Sequence, residues 1–252
     1  MQVRKAYKFR FYPTDGQKEV LAKTFGCCRF VYNYMLRIRT DAWASKKERI
    51  DYHQTSRLLT ELKKDPKYEW LKEVSSVPIQ QSLRHLNVAF VNFFAKRGKY
   101  PTFKKKWHRQ HATYMDTGFS WNGKELRLAK MDDPLKIRWS QQIPKGAKVT
   151  SVNVSKDSAD RYFVSFQCED MIVTKPEASG QVGIDLGLTH FAILSTGEKV
   201  KSPNAFRKYE KRLATLQRRL AKKQKDSKNR AKARLKVAKI QAKISDTRQC
   251  RQ

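Results

Sequence analysis

Gln2-Val3-Arg4-Lys5-Ala6-Tyr7-Lys8-Phe9-Arg10-Phe11-Tyr12-Pro13 stands at the start of the sequence. Val3, Lys5, Tyr7, Phe9 and Phe11 share one face at a spacing of two, the period of a half-buried strand, and Pro13 ends it. The next strand patterns begin only near residue 112. A strand with no local partner must complete a sheet assembled later in the chain, so the helical stretch between is an insertion.

That stretch reads as helices. Thr14 and Gln17 form a capping-box pattern, and Leu21, Phe25, Cys28, Tyr32 and Met35 then repeat at four and three as an apolar stripe. A second helix is predicted from about 54 to 65, stopped at Asp65-Pro66. A third runs from Pro78, suited to the first helical position, to about Lys96, with Ile79, Leu83, Leu86, Phe90 and Phe93 on one side. After Gly98, Pro101-Thr102-Phe103-Lys104-Lys105-Lys106-Trp107 interleaves rings with cations. Lys104, Lys105 and Lys106 suit phosphate. Phe103 and Trp107 either stack on bases or tuck into the core, and the sequence leaves both open.

Residues 112–175 read as strands. Val149 to Ser155 alternates, Asp157–Asp160 turns, and Arg161 to Cys168 returns, which is a hairpin. Short strands separated by Pro134, Pro144 and Gly146 suggest a small barrel or sandwich. Lys175 to Gly180 is a linker, and a new unit begins at Gln181.

Charge dominates the composition: 55 Lys and Arg against 23 Asp and Glu, a formal net charge of +32. Self-repulsion of that size works against a compact fold unless a polyanion neutralises it, and a phosphate backbone does so while releasing counterions. Hydrophobic residues at 39% supply a real core. No run approaches the roughly 18 apolar residues of a membrane span and no signal peptide opens the sequence, so a cytoplasmic, nucleoid-associated protein is expected. Cys27, Cys28, Cys168 and Cys250 form no C-x-x-C pair, which argues against a zinc ribbon or a disulfide framework.

Val182-Gly183-Ile184-Asp185-Leu186-Gly187-Leu188 places one carboxylate in an apolar strand, and Phe191 to Ser195 follows as a second strand. A buried carboxylate is costly unless paired or metal-bound, so Asp185 is expected to be functional. RNase H-like nucleases and actin-like ATPases both begin this way. The ATPase reading needs two large lobes downstream, whereas 64 residues follow Leu188.

Residues 201–252 hold 19 Lys and Arg against Glu210, Asp226 and Asp246, a net +16. Phe206, Tyr209, Leu213, Leu216 and Leu220 repeat at helical spacing, as do Ala233, Val237, Ile240 and Ile244. Asp226 to Arg230 turns the chain between them. The expectation is a helical hairpin with a narrow apolar seam. Its cationic faces present Arg218, Arg219, Lys222, Lys223, Lys225, Lys228 and Arg230 to nucleic acid, because like charges at i,i+4 disfavour the helix until something relieves them.

Seven segments in order carry a family resemblance: Tyr7 to Thr14, Phe25 to Asn33, Trp70 to Val74, Ala89 to Phe94, Pro101 to Lys106, Gly183 to Leu188 and Ser227 to Arg230. Together they resemble the TnpB family, the OrfB-type transposase proteins of bacterial and archaeal insertion sequences. The resemblance implies an α+β multidomain protein in three parts. Residues 1–13 and 112–176 would form a wedge-like β-barrel, with 14–111 an inserted helical recognition region. Residues 180–252 would form the N-terminal part of a RuvC-like (RNase H-like) nuclease domain carrying the basic hairpin. It further implies RNA-guided DNA cleavage, with a guide RNA and double-stranded DNA as partners and Mg²⁺ as cofactor. Gln80 and Gln81 would help read a target-adjacent motif.

Such proteins continue past Asp246-Thr247-Arg248 into a second catalytic Glu, a four-cysteine zinc ribbon and a final Asp, where this sequence reads Gln249-Cys250-Arg251-Gln252. Asp185 is thus expected to be the only member of the acidic set. That leaves an incomplete metal site, no zinc ribbon, and a truncated copy that binds RNA and DNA without cutting. Two alternatives stand beside it: the N-terminal half of a nuclease completed in trans by a C-terminal fragment, or a general RNA-binding protein.

Overall fold

The computed structural model describes residues 2–144, 146–171, 180–187, 189–202 and 204–249. Leu188, Cys250 and residues 172–179, which include most of the expected linker, lie outside them. The chain divides into two compact units, essentially 1–172 and 173–252, with residues 158–160 grouped with the second.

In the first unit the order is β1 (Gln2–Phe11), α1 (Asp15–Lys46), α2 (Tyr52–Leu62), a 3-10 turn (Pro66–Lys72) and α3 (Ser76–Phe94). The strands β2 (Gln110–Met115), β3 (Phe119–Trp121), β4 (Leu126–Leu128), β5 (Ile137–Arg138), β6 (Lys148–Lys156) and β7 (Tyr162–Met171) follow. β1 finds its partner in β7, antiparallel from Gln2↔Met171 to Phe11↔Tyr162. The sheet order is β2-β6-β7-β1-β5, so the first strand enters near the middle of a sheet made mostly of late strands. β3 and β4 form a separate two-stranded ribbon. Among the described residues the edge strands β2 and β5 do not pair with each other, so the sheet is open rather than a closed barrel.

Period-2 alternation buries Phe9 and Phe11 on one face of β1 and Val164, Phe166 and Cys168 on the same face of β7. Trp139 packs edge-on to Phe9 at 4.8 Å between ring centroids, and Trp121 lies 4.9 Å from Phe166. Rings in such tilted contacts add stability beyond the area they bury.

The capping box at the start of α1 forms as the spacing predicts, with Gln17 N donating to Thr14 Oγ1 and Thr14 N to Gln17 Oε1. Gln17 does more. Its Nε2 also donates to the carbonyls of Asp133 and Pro134, which ties the helix entrance to the strand region. The apolar stripe of α1 serves two cores. Leu21, Phe25 and Cys28 pack against the sheet, whereas Val31, Tyr32, Met35 and Leu36 pack with Leu59 of α2 and Ile79, Leu83, Leu86 and Phe90 of α3. Ser82 Oγ donates to the Cys28 carbonyl at 2.7 Å, a polar link where α3 crosses α1. Burial pushes the Cys28 thiol up to about 12 and that of Cys27 to about 11, so neither is a thiolate near neutrality.

Two helix starts differ from the sequence reading. Asp51 and Gln54 form a second capping box, so α2 begins at Tyr52. Ser75 caps α3, which places Pro78 third in the helix. Its missing N–H costs little there, since the first turn has no intrahelical acceptor for it.

The second unit holds β8 (Ile184–Asp185), β9 (His190–Leu194) and β10 (Lys199–Lys201) in the order β10-β9-β8, then α4 (Ala205–Ala221) and α5 (Lys228–Gln249). Leu213 of α4 meets Val237, Ile240 and Ile244 of α5, flanked by Tyr209, Leu216 and Leu220, which is the seam the periodicity predicts. Phe206 stands outside it, 47% exposed. No helix among the described residues is long and apolar enough to cross a membrane.

Candidate nucleic-acid interface

In the first unit the basic loop is bolted to α1. Asn33 Nδ2 donates to the Lys104 carbonyl and Lys104 N donates to Asn33 Oδ1. Lys104 is half-buried with its Nζ 4.0 Å from the centre of the Tyr32 ring, and burial holds its ammonium below the ordinary lysine value. Lys104 therefore anchors the loop, and Lys105 and Lys106 carry its exposed charge. Phe103 and Trp107 are 53% and 61% exposed, which decides the open question in favour of rings facing solvent. Gln80 is exposed and Gln81 half-buried, both near the start of α3.

Beneath the loop His85 and His111 face each other at 5.7 Å between ring centroids. Burial, then the nearby Lys104 and Arg109 cations, push His111 down to about 4, and burial with Lys104 lowers His85 as well. Both rings are neutral at physiological pH, so the charge here belongs to the lysines and arginines.

The sequence reading missed a third cationic surface. The residues of β1 that alternate with Phe9 and Phe11 include Arg4, Lys8 and Arg10; Arg4 pairs with Glu169 of β7, and half-buried Arg10 lies opposite Arg138 of β5. Like charges directly opposite are unfavourable. The buried Nε of Arg10 has no hydrogen-bond partner among the described residues. The signal was the other half of the alternation that reveals the strand.

In the second unit Arg218, Arg219, Lys222, Lys223, Lys225 and Lys228 are exposed, as expected. Arg230 is not a free surface cation. Its Nη1 donates to the carbonyls of Leu220 (3.3 Å) and Lys223 (2.7 Å) and so closes the C-terminal end of α4. The Leu220 carbonyl also accepts from Lys223 N, so Arg230 adds a second donor there and supplies the side-chain donor at the Lys223 carbonyl.

Asp185 departs from the expectation of a buried carboxylate. β8 pairs with β9 alone (Asp185↔Ile193), and Asp185 is exposed among exposed neighbours: Val182 51%, Ile184 60%, Leu186 71%. The physical reason is that little in the described residues covers this three-stranded sheet, where Ala192 is the buried apolar residue. Gly183 N donates to Ser195 Oγ and Ser195 N to the Gly183 carbonyl, fixing the strand's entry. No group of three or more His, Cys, Asp or Glu side chains among the described residues is placed to hold a metal. A single exposed carboxylate does not fit a two-Mg²⁺ centre, whose mutually repelling ions need several anionic ligands.

Comparison with known proteins gives a consistent set of relatives. Residues 1–48 match a family model for the helix-turn-helix domain of IS605 OrfB proteins, although here they form one strand and one 32-residue helix. Residues 152–249 match the IS605 OrfB model, described as a probable transposase. A Streptomyces pristinaespiralis protein named "Putative RNA-guided DNA endonuclease" is 51% identical over 248 residues, which is 98% of this chain and 62% of that protein. The Escherichia coli K12 protein "Putative RNA-guided DNA endonuclease InsQ" is 34% identical over 252 residues, 98% of this chain and 61% of its own length. The chain thus spans about three fifths of the length of these two curated relatives. Among solved structures, a chain of a CRISPR-Cas12f ternary complex aligns over 92% of this chain and 58% of its own, with a TM-score of 0.41 and 14% identity.

Proposed function

We propose, from the premise that this chain belongs to the TnpB (OrfB) transposase family of insertion sequences, that it is the nucleic-acid-gripping part of an RNA-guided DNA endonuclease. The basic hairpin is the observation that carries this reading. One apolar seam packs α4 on α5, and Arg218, Arg219, Lys222, Lys223, Lys225 and Lys228 stay exposed on helices whose residues 201–252 carry a net +16. Spaced along a helix, such cations match the phosphates of a duplex and release their counterions. In this reading the open sheet stands where the family has its wedge domain, α1 to α3 form the recognition insertion, and β8 to α5 begin a RuvC-like domain. Guide RNA and target DNA are the partners. Gln80, Gln81, Lys105 and Lys106 serve the first unit's share of the contact.

Asp185 would be one carboxylate of the catalytic set. Mg²⁺ in such a centre supplies a hydroxide nucleophile and charge stabilisation for phosphodiester hydrolysis. The residues described here do not complete that centre, so the 252 residues taken by themselves bind without cutting. A two-Mg²⁺ centre around Asp185 would need further carboxylates, in cis or in trans. Two measurements test the reading. Purifying the expressed chain and sequencing its bound RNA should recover one discrete structured species; a sample of total RNA in proportion to abundance would reject guide-specific binding. Plasmid cleavage by this chain with that RNA and Mg²⁺, abolished by Asp185→Ala, would reject the binding-only state.

A further inference from the structure

A cavity of about 450 Å³ opens in the helical part of the first unit, with Tyr100, the residue before the basic loop, on its rim. Trp43 near the end of α1, Phe90, Phe93 and Phe94 near the end of α3, and Tyr100 wall it with rings. Aromatic walls are ordinary in a core, but these are open: Trp43 is 46%, Phe94 62% and Tyr100 42% exposed. Two arginines are mounted on them. Arg39 sits 4.0 Å from the Phe90 ring centre, and Arg49 lies 5.6 Å from Trp43 and 5.7 Å from Phe94. Tyr100 is held by Phe93 at 5.2 Å and by a hydrogen bond with Thr40 Oγ1.

We infer that this cavity is a pocket for one unstacked, amino-bearing purine of a single-stranded RNA, adenine fitting best. A nucleotide suits its volume, which lies in the range of small-ligand pockets. Every base has a π-face, and rings carrying guanidinium groups are the platforms on which bases stack. The polar lining selects among bases. Asn87 has no hydrogen-bond partner among the described residues, and a carboxamide pairs in two-pronged fashion with the amino group and N7 of adenine. Glu48, exposed and without an ion-pair partner among the described residues, offers an acceptor to a donor; a ribose 2′-hydroxyl is such a donor, and deoxyribose lacks it. In the lining Glu48 and Asp51 offset Arg39 and Arg49, so phosphate gains no net attraction inside and meets more cations outside. There the chain supplies exposed cations beside the lining residues, Lys46 and Lys47 before Glu48 and Lys96, Arg97 and Lys99 before Tyr100. Gln80 lies about 20 Å back along α3 from Phe94, so this site is separate from the one proposed above. The inference rests on the reading of the chain as an RNA binder and adds a base-selective contact to it.

Fluorescence anisotropy of the full chain with labelled octaadenylate, octauridylate and octadeoxyadenylate, at elevated salt to suppress the phosphate contribution, tests it. The ribo-adenine octamer should bind tightest. Trp43→Ala and Phe94→Ala, both at exposed rings, should each weaken it about tenfold, with the salt slope unchanged because no phosphate contact is lost. Lys222→Gln with Lys223→Gln should lower the slope and leave the preference for adenine intact. Equal binding of adenine and uracil octamers, indifferent to both aromatic substitutions, would overturn the pocket while leaving the hairpin reading standing. Equal binding of the ribo- and deoxyribo-adenine octamers would overturn the assignment to RNA. Loss of all binding would overturn both.

Discussion

Asn33 and Lys104 exchange a reciprocal pair of hydrogen bonds, 2.9 Å from Asn33 Nδ2 to the Lys104 carbonyl and 2.8 Å from Lys104 N to Asn33 Oδ1. One carboxamide in the middle of α1 thereby satisfies both backbone groups of a residue 71 positions away and fixes the loop that carries Lys105, Lys106, Phe103 and Trp107. Asn33→Ala leaves two partly buried backbone groups without partners and is expected to lower stability by about 1–3 kcal/mol. Asn33→Asp keeps the acceptor and loses the donor, so its loss should be smaller. Urea unfolding of the two variants checks the order.

The hairpin's cations divide into two kinds, and salt separates them. Lys222→Gln with Lys223→Gln should reduce the slope of log K against log salt on duplex DNA by about 2, near 0.9 per phosphate contact. Arg230→Gln should leave that slope unchanged and instead free the carbonyl of Lys223 and take one of two donors from that of Leu220. Hydrogen exchange should then quicken across the turn between α4 and α5. An unchanged exchange pattern in Arg230→Gln would contradict its role as the helix cap.

Acid should weaken the first unit through the His85–His111 pair. His111 is pushed from the ordinary 6.5 down to about 4, so between those values the unfolded chain binds more protons than the folded one. The stabilisation is complete above about pH 6.5 and falls away as pH drops toward 4. The loss is on the order of 2 kcal/mol after allowing for the partial exposure of the ring. Urea midpoints measured across that window should decline, and His111→Gln should flatten the decline.

Gly118 marks where the strands meet the start of α3. A Cβ there would stand 3.1 Å from Val77 Cγ1 and 3.2 Å from Tyr114 Cδ1. Tyr114 is 1% exposed and has no room to retreat. Gly118→Ala is expected to cost about 1–3 kcal/mol by overpacking, read as a lower urea midpoint at constant slope.

Periodicity carried the elements that bury one face. The strand of Phe9 and Phe11, the stripe from Leu21 to Met35 and the seam from Leu213 to Ile244 are each visible as spacing, because each has one dry side. Side chains whose role depends on a distant partner left no such trace. Lys104 looked like its neighbours Lys105 and Lys106 until Tyr32 and Asn33 were brought against it. Arg230 looked like a surface cation until α4 ended within its reach. Asp185 sits between apolar residues in sequence, but apolar neighbours guarantee burial only when another layer covers the strand. Trp43, Phe94 and Tyr100 belong to different segments, and no spacing connects them.

The pairing of β1 with β7 also sets a schedule for synthesis. Phe11 leaves the ribosome about 150 residues before Tyr162, its partner across the ladder. At roughly 5–20 residues per second that is a wait of about 8–30 s. The residues of α1, α2 and α3 that make up the helical core are all finished by then and can close around Leu83 and Leu86. The first strand meanwhile holds Phe9 and Phe11 unpaired at the nascent N-terminus. The sheet of the first unit is thus completed by the first strand made, docking last, and slow translation through residues 148–171 would lengthen the interval in which that strand is open to chaperones or to proteases.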